Sequence, residues 1–227
     1  MTKTAMSANE ALKMLRDGNV RFVEGRSESP HRDHDRRILT STEGQSPFAA
    51  VLACSDSRVP IAAIFDRGVG DIFTIRVAGN VVGEVGTGSI EYAVQYLGIR
   101  LLVVLGHSSC GAIQAALSEG NHSPSISKLI EKIAPAVRKT VEGNAGLTGV
   151  ELSDEVARNN VWHQVEGLFN NNEIVRAAVE CGRLILMAAF YNLGTGQVEW
   201  MGSHPPGGAL INRGLQSESM EQTTTGA

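Results

Sequence analysis

The chain has 227 residues, 42% hydrophobic and 19% charged, the balance of one soluble globular domain of moderate size with a substantial core rather than of a disordered chain. A formal net charge of −4 and an aromatic content of 5% argue against nucleic acid or an anionic membrane as a partner. Three cysteines are too few for a disulfide framework, the N-terminus lacks the apolar segment of a secretory signal, and no apolar run approaches the roughly 18 residues of a membrane span; a reduced, cytoplasmic protein is expected.

Ser7-Ala-Asn-Glu10 has the spacing of a capping box, and Ala11, Leu12, Leu15 and Val20 or Phe22 form an apolar stripe behind it, so a helix opens the chain. His31–Arg37 reads as a charged connector, which also makes a metal-binding role for His31 and His34 the weaker reading, and residues 41–47 read as a polar loop. The apolar runs 48–54, 71–77, 101–106 and 184–191 are short and continuous, as in central parallel strands. Helical segments separate them at 60–65 and 86–97 and along the stretch 110–169, where Pro124 suits a first helical turn behind Ser123 and Pro135 is expected to kink or break the helix. Gly83, Gly86 and Gly88 lack the ending of a phosphate loop and read as a turn before a helix. Trp162, Val165, Leu168 and Phe169 fall at helical spacing and read as core or subunit contact.

A turn at 192–196 leads into 197–201, an antiparallel edge strand. The pattern predicts an α/β fold: a central, mostly parallel sheet with an antiparallel edge strand, helices on both faces and an N-terminal helical arm. One domain is expected over residues 1–215, of which 1–40 are arm and connector, and the Ser/Thr/Gln-rich 216–227 reads as a disordered tail.

The chemistry concentrates just past two of these strands. Cys54-Ser-Asp56-Ser-Arg58 follows the first and His107-Ser-Ser-Cys110-Gly111 follows the third. Two thiolates and one imidazole suit zinc and leave a fourth tetrahedral position open, and strand carboxyl ends are where open α/β sheets place ligands. Two thiolates cancel the metal's formal charge, so a water on it is acidified less than at a three-histidine site. Asp56, held by Arg58, either orients the nucleophile or swings onto the metal and closes the site; the sequence leaves both open.

The segments C-S-D-S-R-V-P and G-H-S-S-C-G-A, with Arg76-Val-Ala-Gly-Asn80 and Ser89-Ile-Glu-Tyr-Ala93 between them, resemble β-class carbonic anhydrases of bacterial type from about Ser7 to about Met201. The resemblance implies zinc-dependent, reversible hydration of carbon dioxide to bicarbonate and a proton by attack of zinc-bound hydroxide. It implies one zinc per chain on Cys54, His107 and Cys110, an orienting Asp56–Arg58 dyad, and substrate contacts from Tyr92 and from the Gly111 N–H. It also implies a homodimer or higher oligomer whose N-terminal arm packs on the neighbouring subunit.

By the charge argument, the pKa of the water should lie above the value of about 7 established at the three-histidine carbonic anhydrase site. Hydrolysis of carbon disulfide or carbonyl sulfide, and a non-enzymatic zinc-binding sensor of inorganic carbon, are the alternatives on the same fold. Two departures stand out: Val51 occupies the position where bicarbonate-regulated members carry Trp, and residues 65–71 lack the substrate-binding Gln of plant-type members. Cys181 reads as a buried small hydrophobe, and His122, His163 and His204 as remote proton-shuttle candidates.

Overall fold

Residues 6–118 and 120–205 are described by a computed structural model. Helix α1 (Ala8–Val23) starts at the predicted capping box, with the Ser7 hydroxyl and the Glu10 carboxylate each accepting the other's backbone N–H. Its Ala11, Leu12 and Leu15 are buried in a cluster with Phe65, Leu101 and Val103. Three positions of the predicted stripe thus pack on this chain's own sheet, while Val20 and Val23 further along the helix stay exposed.

Helix α2 (His34–Glu43) replaces the predicted connector and loop. Asp33 caps it by accepting the Arg36 N–H at 2.7 Å. None of its ten residues is buried among the described residues, so no apolar period marks it in the sequence. It is anchored instead by polar contacts: Arg36 donates to the Val69 carbonyl at 2.8 Å and to Asp71, which also receives His31 at 2.7 Å.

Then follow β1 (Ala49–Ala53), α3 (Ile61–Ile64), β2 (Ile72–Arg76), a 3-10 turn at Ala78–Asn80, α4 (Glu84–Gln95), β3 (Leu101–His107) and α5 (Gly111–Leu117). The chain continues through α6 (Pro124–Gly143), α7 (Gly149–Asn171), α8 (Glu173–Glu180), β4 (Ile185–Tyr191) and β5 (Val198–His204). The long helical stretch thus resolves into three helices, and α8 is an element the sequence pattern did not separate. Pro124 takes the predicted first turn behind the Ser123 cap. Pro135 does not end α6, which runs on to Gly143. Ile133, Ala136 and Thr140 are buried on both sides of it, and the carbonyl that the proline leaves unbonded belongs to the exposed Glu131.

The five strands order as β2-β1-β3-β4-β5, parallel except for the antiparallel β4–β5 pair. Alternation along the strands divides the core. Ala49, Val51, Ala53, Leu101, Val103 and Leu105 face α1 and α3, while Ala50, Leu52, Leu102 and Val104 face Ile90 and Ala93 of α4 and Val161, Val165 and Leu168 of α7. Trp162 and Phe169 pack, partly buried, on the second cluster. Val51, at the position of the regulatory Trp, is wholly buried.

From β1 the chain moves outward to β2, then crosses back to the other side of β1 as β3. The carboxyl ends of β1 and β3 flank that reversal, the usual ligand position in an open α/β sheet. No helix among the described residues is long and apolar enough to cross a membrane. The predicted tail, 216–227, lies outside the described residues.

Candidate metal centre and active site

The register Ala53↔Leu105 sets the ends of β1 and β3 side by side, so Cys54 follows one strand where His107 ends the next. Cys110 caps α5 and turns back toward them. One ligand atom from each of Cys54, His107 and Cys110 lies within 4.8 Å of the other two, and all three residues are buried. The sulfurs are 3.9 Å apart. Two thiolates about 2.3 Å from one tetrahedral zinc would lie about 3.8 Å apart.

His107 fits the same ion. Its Nδ1 is 2.9 Å from the Ser108 carbonyl, an arrangement in which Nδ1–H donates and Nε2 carries the free lone pair. That Nε2 is buried with no hydrogen-bond partner among the described residues, a cost that a metal ion removes.

The two thiols are electrostatically unequal. Cys54 is held well below the ordinary thiol range, first by the hydrogen bond from Cys110, with help from His107 and from the N–H groups of Asp56 and Gly79 at 3.4 and 3.2 Å. Cys110 is pushed up, chiefly by that bond to the Cys54 thiolate and by burial. The first proton leaves easily and the second only when a cation neutralises the pair, so the donor set is built for a divalent ion.

Asp56 stands outside the cluster of ligand atoms. Its Oδ1 accepts from the Arg58 backbone N–H at 2.9 Å and from Arg58 Nε at 3.0 Å, and its Oδ2 from Arg58 Nη2 at 2.8 Å. This bidentate pairing, with the Asp56 side chain 16% exposed, holds its carboxyl well below the usual carboxylate range. Asp56 is thus turned to Arg58.

Arg58 Nη2 also donates to the Ser109 carbonyl at 3.2 Å. Ser109 has φ 51°, uncommon for a non-glycine residue, and its N–H is fixed by Asp154 of α7 at 2.8 Å. Arg76 secures the other side of the turn by donating to the Cys54 and Asp56 carbonyls at 3.1 and 2.6 Å.

The remaining predicted residues separate from this group. Gly111 is the first residue of α5, directly after Cys110, with open space where a Cβ would stand. Tyr92 lies on α4, 46% exposed, its ring 6.1 Å from Phe73 and 5.4 Å from Tyr96. Phe73 precedes Arg76 by three residues, roughly 10 Å back along β2.

Cys181 is not buried: it is exposed at the end of α8, and Arg183 Nε donates to its sulfur at 2.9 Å, which lowers its pKa. Asp154, Asn160 and Gln164, all on α7, escape a reading of local motifs. Their one signal is polar side chains on a stripe otherwise apolar at Ala157, Val161, Val165 and Leu168.

Comparison with known proteins agrees with this geometry. Residues 49–198 match the family model described as carbonic anhydrase. The chain is 38% identical over 191 residues to carbonic anhydrase 2 of Mycobacterium tuberculosis, covering 82% of this chain and 89% of that one. It is also 38% identical over 193 residues to the carbonic anhydrase of Mycolicibacterium smegmatis, covering 83% and 91%. A solved structure from a study of two tetrameric β-carbonic anhydrases of Sordaria macrospora superposes with a TM-score of 0.69 at 28% identity, covering 74% of this chain and 87% of that one. With three buried donors spaced for zinc on this fold, the chain belongs to the β-class carbonic anhydrases, a family of zinc enzymes.

Proposed function

We propose that the chain catalyses the reversible hydration of carbon dioxide to bicarbonate and a proton, with Cys54, His107 and Cys110 holding zinc and the Asp56–Arg58 pair orienting the nucleophile. The observation that carries this reading is the carboxylate fixed bidentately by Arg58 beside three metal donors. When bound, zinc acidifies water and so supplies the nucleophile near neutral pH.

Arg58 keeps Asp56 ionised, and the Ser109 carbonyl fixes the guanidinium in turn. The ionised carboxylate would accept a hydrogen bond from the nucleophile's remaining O–H and so hold a lone pair toward the carbon of the substrate. Gly111 offers its N–H to a substrate oxygen. Val81, Ile113 and Phe190 pack around the two cysteines and exclude water from them.

Self-association as a homodimer or larger assembly belongs to the same reading. Strand β2 is an open sheet edge among the described residues, and beside it α4 exposes Val85, Tyr92 and Tyr96. A cytoplasmic location suits a site whose two thiols must stay reduced.

The test is stopped-flow carbon dioxide hydration from pH 6.5 to 9 on protein with zinc counted per chain. Fast hydration that rises with pH is expected, with a midpoint above 7. One zinc per chain with no hydration above buffer would refute the proposal, and comparative kinetics with carbonyl sulfide and carbon disulfide would show whether either is the true substrate.

A further inference from the structure

The groups assigned to the reaction follow β1 and β3, yet part of the hydrogen bonding around Cys54 originates on α7. Asn160 and Gln164, one helical turn apart, are buried amides on the stripe that otherwise carries Ala157, Val161, Val165 and Leu168. Burying two amides on a helix face that aliphatic side chains would fill is costly unless every polar atom finds a partner. All four do. Asn160 Nδ2 donates to the Gly79 carbonyl at 2.8 Å, and its Oδ1 accepts from Gln164 Nε2 at 3.0 Å. Gln164 Oε1 accepts the Val82 N–H at 2.9 Å, and its Nε2 also reaches the Lys132 carbonyl at 3.4 Å.

The two amides thus grip both ends of the turn 79–82. That turn begins with Gly79 at φ 69°, a left-handed conformation, and its N–H points at Cys54 Sγ from 3.2 Å. A side chain here would drive its Cβ to 2.9 Å from Ile133 Cδ1 and 3.2 Å from Ala112 Cβ, so helices α5 and α6 press the bare backbone into place from the opposite side. The Asp56 N–H, the other backbone donor to this sulfur, is longer at 3.4 Å.

We infer that Asn160 and Gln164 are positioning residues for the metal thiolate: the amide clamp fixes the Gly79 N–H on Cys54 Sγ, and so sets how much charge that sulfur gives to the metal. Neither residue touches substrate or metal. They act through Gly79, as outer groups around a metal site orient and tune its ligands. The inference rests on Cys54 being a metal ligand.

The test uses the cobalt-substituted full chain, in which the thiolate-to-cobalt charge-transfer band reports electron density on sulfur, and the zinc form, in which metal loss to a chelator is timed. Asn160→Leu keeps the branched shape of the side chain and removes both amide contacts. It should move the band to longer wavelength, because a thiolate that has lost an N–H donor gives up its electron more easily, and should weaken zinc retention roughly 10-fold or more. Leu168→Ala, which removes packing about two turns further along α7, should lower thermal stability and leave the band where it is.

A band in Asn160→Leu that coincides with the parent's, or zinc loss no faster than in Leu168→Ala, would overturn the clamp and leave Asn160 a purely structural residue. Should Asn160→Leu fail to fold, Gln164→Met, which leaves Asn160 in place but unbraced, should shift the band the same way by a smaller amount; no shift there has the same overturning force. A parent chain with no thiolate-to-cobalt band at all would instead refute the metal-site assignment, and the clamp with it.

Discussion

At Cys54, one sulfur receives N–H groups from Asp56 and Gly79 and lies 3.9 Å from its partner thiol, so the residue is committed to the ionised state that a metal requires. His107 adds a lone pair without charge. Removing it leaves two thiolates in a site whose third donor direction is empty. His107→Ala should therefore emerge from dialysis with well under one zinc per chain by elemental analysis, and full retention would contradict the ligand assignment.

Asp56 differs in kind, because its two oxygens are used by Arg58 and not by the ligand cluster. Asp56→Asn keeps the shape but loses the negative charge and one acceptor. It should hold stoichiometric zinc while hydration slows roughly 10²-fold, and an unchanged rate would remove the dyad from the reaction. The sign of its titration follows from the pairing. A carboxyl held below its ordinary range stays ionised throughout pH 6.5 to 9, so a fall of activity at the acid end of that range would not come from protonation of Asp56.

Among the elements, the junction of α1 and α3 shows how buried charge is handled. The Asp66 side chain is fully buried, receives Arg21 Nε at 2.6 Å and accepts the N–H groups of Glu28 and Ser29 at 3.0 and 2.7 Å. Burial works to raise its pKa, and Arg21 with the two backbone donors overcomes this, so the folded value lies below the ordinary one. A depressed carboxylate stabilises the fold fully above its unfolded pKa of about 3.9 and loses that contribution as pH falls through the lower folded value. Asp66→Asn should cost about 3 kcal/mol near neutrality, the scale for removing one partner of a buried pair. In thermal melts the gap between parent and variant should hold steady from pH 8 to 5 and close only below about 4. A gap that widens on acidification would contradict the assignment.

Over the whole molecule, the open edge of β2 and the exposed side chains of α4 have no covering element among the described residues. Val85 and Tyr96 are 85% and 75% exposed, values that a large apolar side chain tolerates best where another surface covers it. A second copy of the chain is the proposed occupant. Sedimentation should show a dimer or larger species for the parent, and Tyr96→Glu, which places a charge in that surface, should shift the distribution toward monomer. A parent that sediments as a monomer, or a variant that assembles as the parent does, would move the interface elsewhere.

Much of this protein was readable as sequence because its signals are local. Continuous apolar runs mark β1, β2, β3 and β4, the Ser7–Glu10 spacing marks the start of α1, and the ligands sit in short segments directly after two strands. Where the signal is not local, the reading failed. Helix α2 has no apolar period because its anchors, Val69 and Asp71, lie more than thirty residues on. At Pro135 the sequence shows the lost hydrogen bond, which allows a kink or a break, but not the burial of Ile133, Ala136 and Thr140 on both sides of it, which accompanies an α6 that runs on. Cys181 was assigned to the interior by residue type, and only the folded chain shows it at a helix end beside Arg183.

The sequence by itself determined the donor set and the strand-end positions of Cys54 and His107, since residue type and apolar patterning suffice for both. Only the tertiary structure decided that β1 and β3 are neighbours, that Asp56 faces Arg58, and that α7 reaches the site through Asp154, Asn160 and Gln164. Each of those facts joins residues that the chain separates and packing brings within hydrogen-bond distance, or is a choice between rotamers, and neither leaves a mark in local composition.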